Sequence, residues 1–152
     1  MRIIAHRGNL DGPNLCGENH PTYIRQAIIL GYDAEVDLLL DGQTYMLGHD
    51  VPYYRIDESF LLDNADRLWI HCKNAAAFRA CAALPGVHYF WHGADAYTLT
   101  SKGHAFTRPG EPLVCGGIAV MPEYANYTDA ELRICFGICT DRAAEYRGRF
   151  SK

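Results

Sequence analysis

The sequence predicts an α/β fold built on a largely parallel sheet, and three observations predict it. Short apolar, β-rich runs alternate with helical patterns, as in strands joined by crossover helices. Polar clusters gather at the ends of those runs: His6, Glu35 with Asp37, His71 with Lys73, His92 and Asp141. The chain has 152 residues, the size of one domain, read here as 1–152. A (β/α) barrel collects its site at the carboxyl ends of its strands. An open parallel sheet does the same, so this pattern leaves both architectures open.

Each element has a local reason. Arg2–Ala5 is a short strand that runs into His6-Arg7-Gly8, and Asn9–Gly17 is a loop rich in Asn, Asp, Gly and Pro. Tyr23, Ala27, Ile28 and Leu30 share one helical face; Pro21 suits the first turn and Gly31 the stop. Asp33–Leu40 is the second strand. Asp41-Gly42 is a hairpin turn and Thr44–Leu47 the returning strand, delivering His49-Asp50. Val51–Arg67 reads as an irregular connection with one helical turn at Ser59–Leu62. Leu68–Cys72 is a strand, Ala75–Leu84 an alanine-rich helix ended by Pro85-Gly86, and Val87–Trp91 a further strand. Beyond them, Thr98–Gly103 is polar, His104–Thr107 and Gly116–Met121 are strand candidates, and Thr128–Arg133 is a short helix. Ile134–Cys139 is the last strand and Ala143–Tyr146 a final helical turn.

Composition narrows the function classes. Hydrophobic residues make up 49% and charged residues 21%, enough apolar material for a real core. A net charge of −4 argues against a broad nucleic-acid surface, which works by neutralising phosphates. No apolar run is long enough to cross a bilayer. The N-terminus carries no signal-peptide pattern, so the six cysteines are expected as reduced core thiols and the location as cytoplasmic.

Glu35 and Asp37 are two apart on a strand, so they point to one face while Val36 and Leu38 point to the other. Adjacent carboxylates repel unless a cation or proton lies between them, and such oxygens suit Mg²⁺ or Ca²⁺. The plain alternative is an acidic, solvated strand face. His6 and His49 have the chemistry of an acid/base pair, although a single histidine is commonly structural. Arg7 has the planar fork that holds phosphate oxygens, or it braces a carboxylate. His71 and Lys73 alternate onto one face, His71 as metal ligand or polar filling and Lys73 as a phosphate neutraliser. His92 is a ligand-side or a packed histidine, and Asp141 a cap.

The ordered series IAHRG ending at Gly8, GEN at 17–19, GYDAEVD at 31–37, the DG turn at 41–42 and GHD at 48–50 resembles the glycerophosphodiester phosphodiesterase family, within the phospholipase-C-like phosphodiesterase barrels. LWIHCKN at 68–74 and GICTDR at 137–142 look like later strands of that family. The resemblance implies a metal-dependent hydrolase of a small phosphodiester. It makes His6 and His49 the catalytic pair, Glu35 and Asp37 metal ligands, Arg7 and Lys73 phosphate contacts, and Glu18 a supporting carboxylate; His92, which the resemblance does not cover, is a supporting candidate by its place after a strand. Two departures matter. The family has a glutamate two residues before the lysine, where this chain has His71; as third ligand it opens the site to Mn²⁺ or Zn²⁺ besides Mg²⁺ or Ca²⁺. A full barrel takes ~250 residues, so the resemblance implies a reduced TIM-type (β/α) barrel with fewer than eight strands. Such a barrel is either open on one side or completed by a partner chain in an oligomer. Segment 90–110 follows no family pattern. The rival readings are a non-catalytic phosphoester-binding module and a phosphodiester lyase that releases a cyclic phosphate.

Overall fold

The computed structural model describes residues 1–150. They form a mixed α/β fold in which five α-helices accompany one curled, half-barrel sheet. The strands are β1 (Arg2–Ala5), β2 (Asp33–Asp41), β3 (Thr44–Leu47), β4 (Tyr54–Ile56) and β5 (Leu68–Cys72). They continue as β6 (Tyr89–Phe90), β7 (Tyr97–Leu99), β8 (Ala105–Thr107), β9 (Ile118–Val120) and β10 (Gly137–Thr140). The helices are α1 (Pro21–Ile29), α2 (Glu58–Asp63), α3 (Ala75–Ala83), α4 (Asp129–Leu132) and α5 (Ala143–Phe150).

Seven strands run parallel in the order β6-β5-β2-β1-β10-β9-β8, so the first strand sits between the second and the last. The other three are antiparallel additions. β3 returns along the carboxyl half of β2 through a Gly42-Gln43 turn, one residue later than expected because Asp41 still pairs with Thr44; Gly42 stands at φ +59°, and β4 follows on β3. β7 pairs with β8. β2 is the hub: Ala34 pairs with both Ala5 and Leu68, and Leu38 with both Leu47 and Cys72.

The two faces of β2 divide the molecule. Ala34, Val36 and Leu38 pack under the helices with Ile24, Phe60, Leu61, Ala77 and Cys81. A second helix-side cluster joins Ala119 and Ile138 to Leu132 and Tyr146. On the concave face a layer of Ile4, Trp69, Phe90, Phe106, Ile118 and Cys139 closes the middle of the curl. Glu35 and Asp37 share the concave face, as strand alternation requires.

Some elements differ from expectation. Within Val51–Arg67 the helical turn expected at Ser59–Leu62 forms as α2, and a strand not expected there, β4, gains its order from pairing with β3. Thr98 lies inside β7, within the stretch expected to be merely polar. The strand at Val87–Trp91 shrinks to Tyr89–Phe90, and the final turn extends to Phe150. All six cysteines are free, yet Cys16 and Cys115 are exposed, so only four are core thiols.

Candidate functional site

The site grows from the carboxyl ends of β1, β2, β5 and β10. β1 ends at Ala5, and a 3-10 turn over His6–Gly8 swings His6 and Arg7 over the rim. Arg7 is held at φ +50°, a conformation that strains a side chain-bearing residue, and its backbone N–H donates to Glu35 Oε2 at 3.2 Å. Asn19, also left-handed at φ +61°, donates to Asp37 Oδ2 at 3.0 Å and accepts from the Asp37 backbone N–H at 2.9 Å. Strain is therefore stored where the loops meet the two carboxylates.

Glu35 and Asp37 are buried, and the cations around them are unevenly shared. Arg7 Nε lies 2.9 Å from Asp37 Oδ2, Lys73 Nζ 3.6 Å and His71 Nδ1 3.0 Å from Asp37 Oδ1. Glu35 has two more distant imidazoles, His6 Nε2 and His71 Nδ1, each at 3.9 Å. Electrostatics follow the geometry. Burial, together with the Asp37 charge, pushes the Glu35 carboxyl up to about 7 despite His6 and Arg7. Burial also opposes ionisation of Asp37, but His71, Arg7 and Asn19 outweigh it and hold that carboxyl well below the usual range. Burial pulls the His71 imidazole below its ordinary value, against the pull of Asp37.

His6 is set by a residue first read as a cap. Its Nδ1 lies 2.7 Å from Asp141 Oδ1, leaving Nε2 to face Glu35. Burial lowers its basicity, but the Asp141 hydrogen bond and the Glu35 charge prevail, so its pKa is raised. Asp141 is itself fixed: Asn9 Nδ2 donates to it at 2.8 Å, and its backbone N–H donates to Glu123 at 3.1 Å. Glu123 also accepts from the Thr140 hydroxyl. Asn9 Nδ2 donates to Glu18 as well, and Glu18 accepts from Arg7 Nη1, both at 3.0 Å.

Thus His6, Arg7, Glu18, Glu35, Asp37, His71 and Lys73 converge. His92 reaches the site by stacking on His71, with ring centroids 4.5 Å apart, while Phe90 stacks on His71 at 5.1 Å. His49 stands apart. It lines a cavity of about 430 Å³ with Arg7, Glu18, Asn19, Tyr53 and Tyr54, and its Nδ1 lies 2.7 Å from Asp50. Its loop depends on Gly48, where a Cβ would come within 2.1 Å of the Val51 carbonyl. His6, Glu35 and His71 instead line a separate cavity of about 390 Å³. Arg7 and Glu18 lie on the His49 side while Arg7 also reaches Asp37, so the charged cluster separates the two cavities.

Sequence reasoning passed over Asn9, Asn19 as a site residue in its own right, and Glu123. Asn9 and Asn19 are buried polar side chains in loops, a placement that sequence alone reads as turn chemistry.

The donor set fits a divalent cation. Glu35, Asp37 and His71 can each offer one atom, all within 4.8 Å of one another. Asp37 Oδ1 is buried and, despite its near cations, lacks an aligned hydrogen-bond donor among the described residues. Such an oxygen is costly to bury unless something coordinates it. Compared with protein-family models, curated proteins and solved structures, the chain matches none.

Proposed function

We propose that this chain is a metal-dependent phosphodiesterase acting on a small phosphodiester, built on a shortened (β/α) barrel of the phospholipase-C-like type. The observation that carries the reading is the convergence of the His6–Asp141 pair with the Glu35, Asp37 and His71 triad on one rim. The parallel order supports the barrel: β1, β2, β5 and β6 are neighbours in chain order, β8, β9 and β10 likewise, and the first strand pairs with the last.

Glu35, Asp37 and His71 would hold the ion: Mg²⁺ or Ca²⁺ through the carboxylates, Mn²⁺ or Zn²⁺ favoured by the imidazole. When bound it supplies Lewis-acid polarisation of a phosphoryl oxygen. Arg7 and Lys73 lie on the Asp37 side and take up charge on the phosphoryl oxygens as it develops. His49 accepts a proton from the attacking hydroxyl on one side of the cluster. His6, oriented by Asp141, gives a proton from Nε2 to the leaving alkoxide on the other. Six unpaired cysteines fit a reducing, cytoplasmic setting. No helix among the described residues is long and apolar enough to cross a membrane.

The test is turnover of a panel of phosphodiesters with Mg²⁺, Ca²⁺, Mn²⁺ or Zn²⁺ and with EDTA. Metal-dependent turnover falling roughly 10²–10⁴-fold in His6→Ala and His49→Ala supports the reading. Absence of metal-dependent turnover across the panel removes it. A cyclic product, visible by phosphorus NMR, marks the lyase route, in which a hydroxyl of the substrate is the nucleophile. One observation favours a non-catalytic binding module: His49 lines a different cavity from His6. That reading expects phosphoester binding without turnover.

A further inference from the structure

The cavity beside His6 is built by the stretch that follows no family pattern. Phe90, Thr98 and Phe106 form its inner wall with Val120 and Cys139, while the loops at Gly93–Asp95 and Arg108-Pro109 form its mouth. Its place follows from topology. β6 is two residues long and pairs with β5, whereas β7 folds back on β8 rather than joining β6. Below, the residues after β7 are tied to β6 by the Ser101 N–H donating to the Tyr89 carbonyl at 2.8 Å, and the Phe90 and Phe106 rings pack 4.5 Å apart as a floor; above that floor the curl leaves a slot that opens toward the carboxyl rim.

We propose that this slot is the subsite for one alcohol arm of the phosphodiester, and that it selects an apolar, uncharged arm, aromatic or compact alkyl. Three features argue for it. The volume of about 390 Å³ lies within the ~300–1,000 Å³ of ligand pockets. The inner wall is apolar apart from the Thr98 hydroxyl, so a charged arm buried there meets no counter-charge. At its other end the same cavity is bounded by His6, Glu35 and His71, which places the arm's ester oxygen beside the catalytic cluster. Asp95 and Arg108 both line the mouth, one acid and one base, so the entrance carries no excess of either charge. The second arm then belongs on the His49 side, where Tyr53, Tyr54 and Glu18 offer polar groups. In the resulting step a hydroxyl oxygen bonds to phosphorus and its proton passes to His49. The bond from phosphorus to the apolar arm's oxygen breaks, and that oxygen takes its proton from His6.

The proposal rests on the phosphodiesterase reading for its step, but its test does not need turnover. Calorimetry compares phenylphosphonate with methylphosphonate, both in Mg²⁺ or Mn²⁺, on the full chain. The expected result is binding about tenfold or more tighter for the phenyl compound. Val120→Phe, which fills the inner wall, should erase that preference; Ala94→Phe, at the exposed mouth, does the same by obstruction if Val120→Phe fails to fold. Equal affinities, an unchanged preference in a folded filling variant, or no binding of either probe overturns the subsite. A phenyl preference without turnover of any diester keeps the subsite and removes the enzyme.

Discussion

Asp33 and Asp37 lie on one strand and face the same concave side, yet they do opposite work. Asp33, at the amino end of β2, is saturated with donors: Arg2 Nη1 and Trp69 Nε1 at 3.0 Å and Arg67 Nη1 at 3.3 Å. Around it, Trp69 packs on His88 with ring centroids 4.0 Å apart, and on His104 and Phe106. Asp37, at the carboxyl end, shares its surroundings with a second carboxylate and keeps one oxygen without an aligned donor. The amino end spends its charges on closing the fold. The carboxyl end compensates Asp37 through His71, Arg7 and Asn19 but leaves Glu35 short of partners, and that carboxyl is the one burial pushes up to about 7. A parallel sheet makes this division natural, because all seven parallel strands deliver loops to one rim at their carboxyl ends.

His88 at the amino end and Glu35 at the carboxyl end should respond to pH with opposite signs. At the amino end, burial, helped by Lys102 and His104, pushes the His88 imidazole down to about 3. The unfolded chain then binds more protons than the folded one between about pH 3 and 6.5, so stability falls as pH falls. At about 1.4 kcal/mol for each pH unit the upper bound is about 5 kcal/mol. Urea unfolding across that range should flatten its acid limb in His88→Gln; an unchanged limb would break the assignment.

Next in size is the Asp141 bond to His6. Asp141→Asn should lower turnover about 10³-fold, roughly 4 kcal/mol, with a much smaller loss of stability. Because Asp141 raises the His6 pKa, its loss moves His6 deprotonation to lower pH. Proton NMR titration of the metal-free protein reads that shift, and an unmoved titration would leave Asp141 a mere cap.

Glu35 carries the third effect. In metal-free protein its carboxyl titrates near 7, so the folded state binds the extra proton between about pH 4.5 and 7. Stability from this group is therefore lost as pH rises through that window, by up to about 3 kcal/mol. Glu35→Gln should remove the slope, and saturating Mg²⁺ or Mn²⁺ should oppose it; thermal unfolding at a series of pH values checks both.

The smallest effect tests the saturated end. Asp33→Ala strips acceptors from a buried indole N–H and two half-exposed arginines, a loss of about 2 kcal/mol in chemical denaturation. Turnover of the folded variant should stay close to wild type, since the hydrogen bonds of Asp33 go to Arg2, Arg67 and Trp69 and none goes to Glu35, Asp37 or His71. A large kinetic loss would merge two regions that the structure separates.

Local pattern carried a good part of this. Alternation on β2 is a property of the extended backbone, so the shared face of Glu35 and Asp37 was legible in sequence, as were Leu68–Cys72 as a strand and, to within one residue, the hairpin turn at Gly42-Gln43. The alanine run, Pro21 and Thr128 likewise announced helices close to where they form. What the chain order could not contain is pairing across long separations. β4 and β7 are three-residue strands with no period of their own, ordered by their neighbours. Asp141 meets His6 across 135 positions, and Asn9 joins both to Glu18. The residue types needed at the rim are written locally, because side-chain direction is a local consequence of the strand. Which of them share a cavity, and that His6 and His49 line separate ones, was decided by the curl of the sheet and the slot it leaves toward the carboxyl rim.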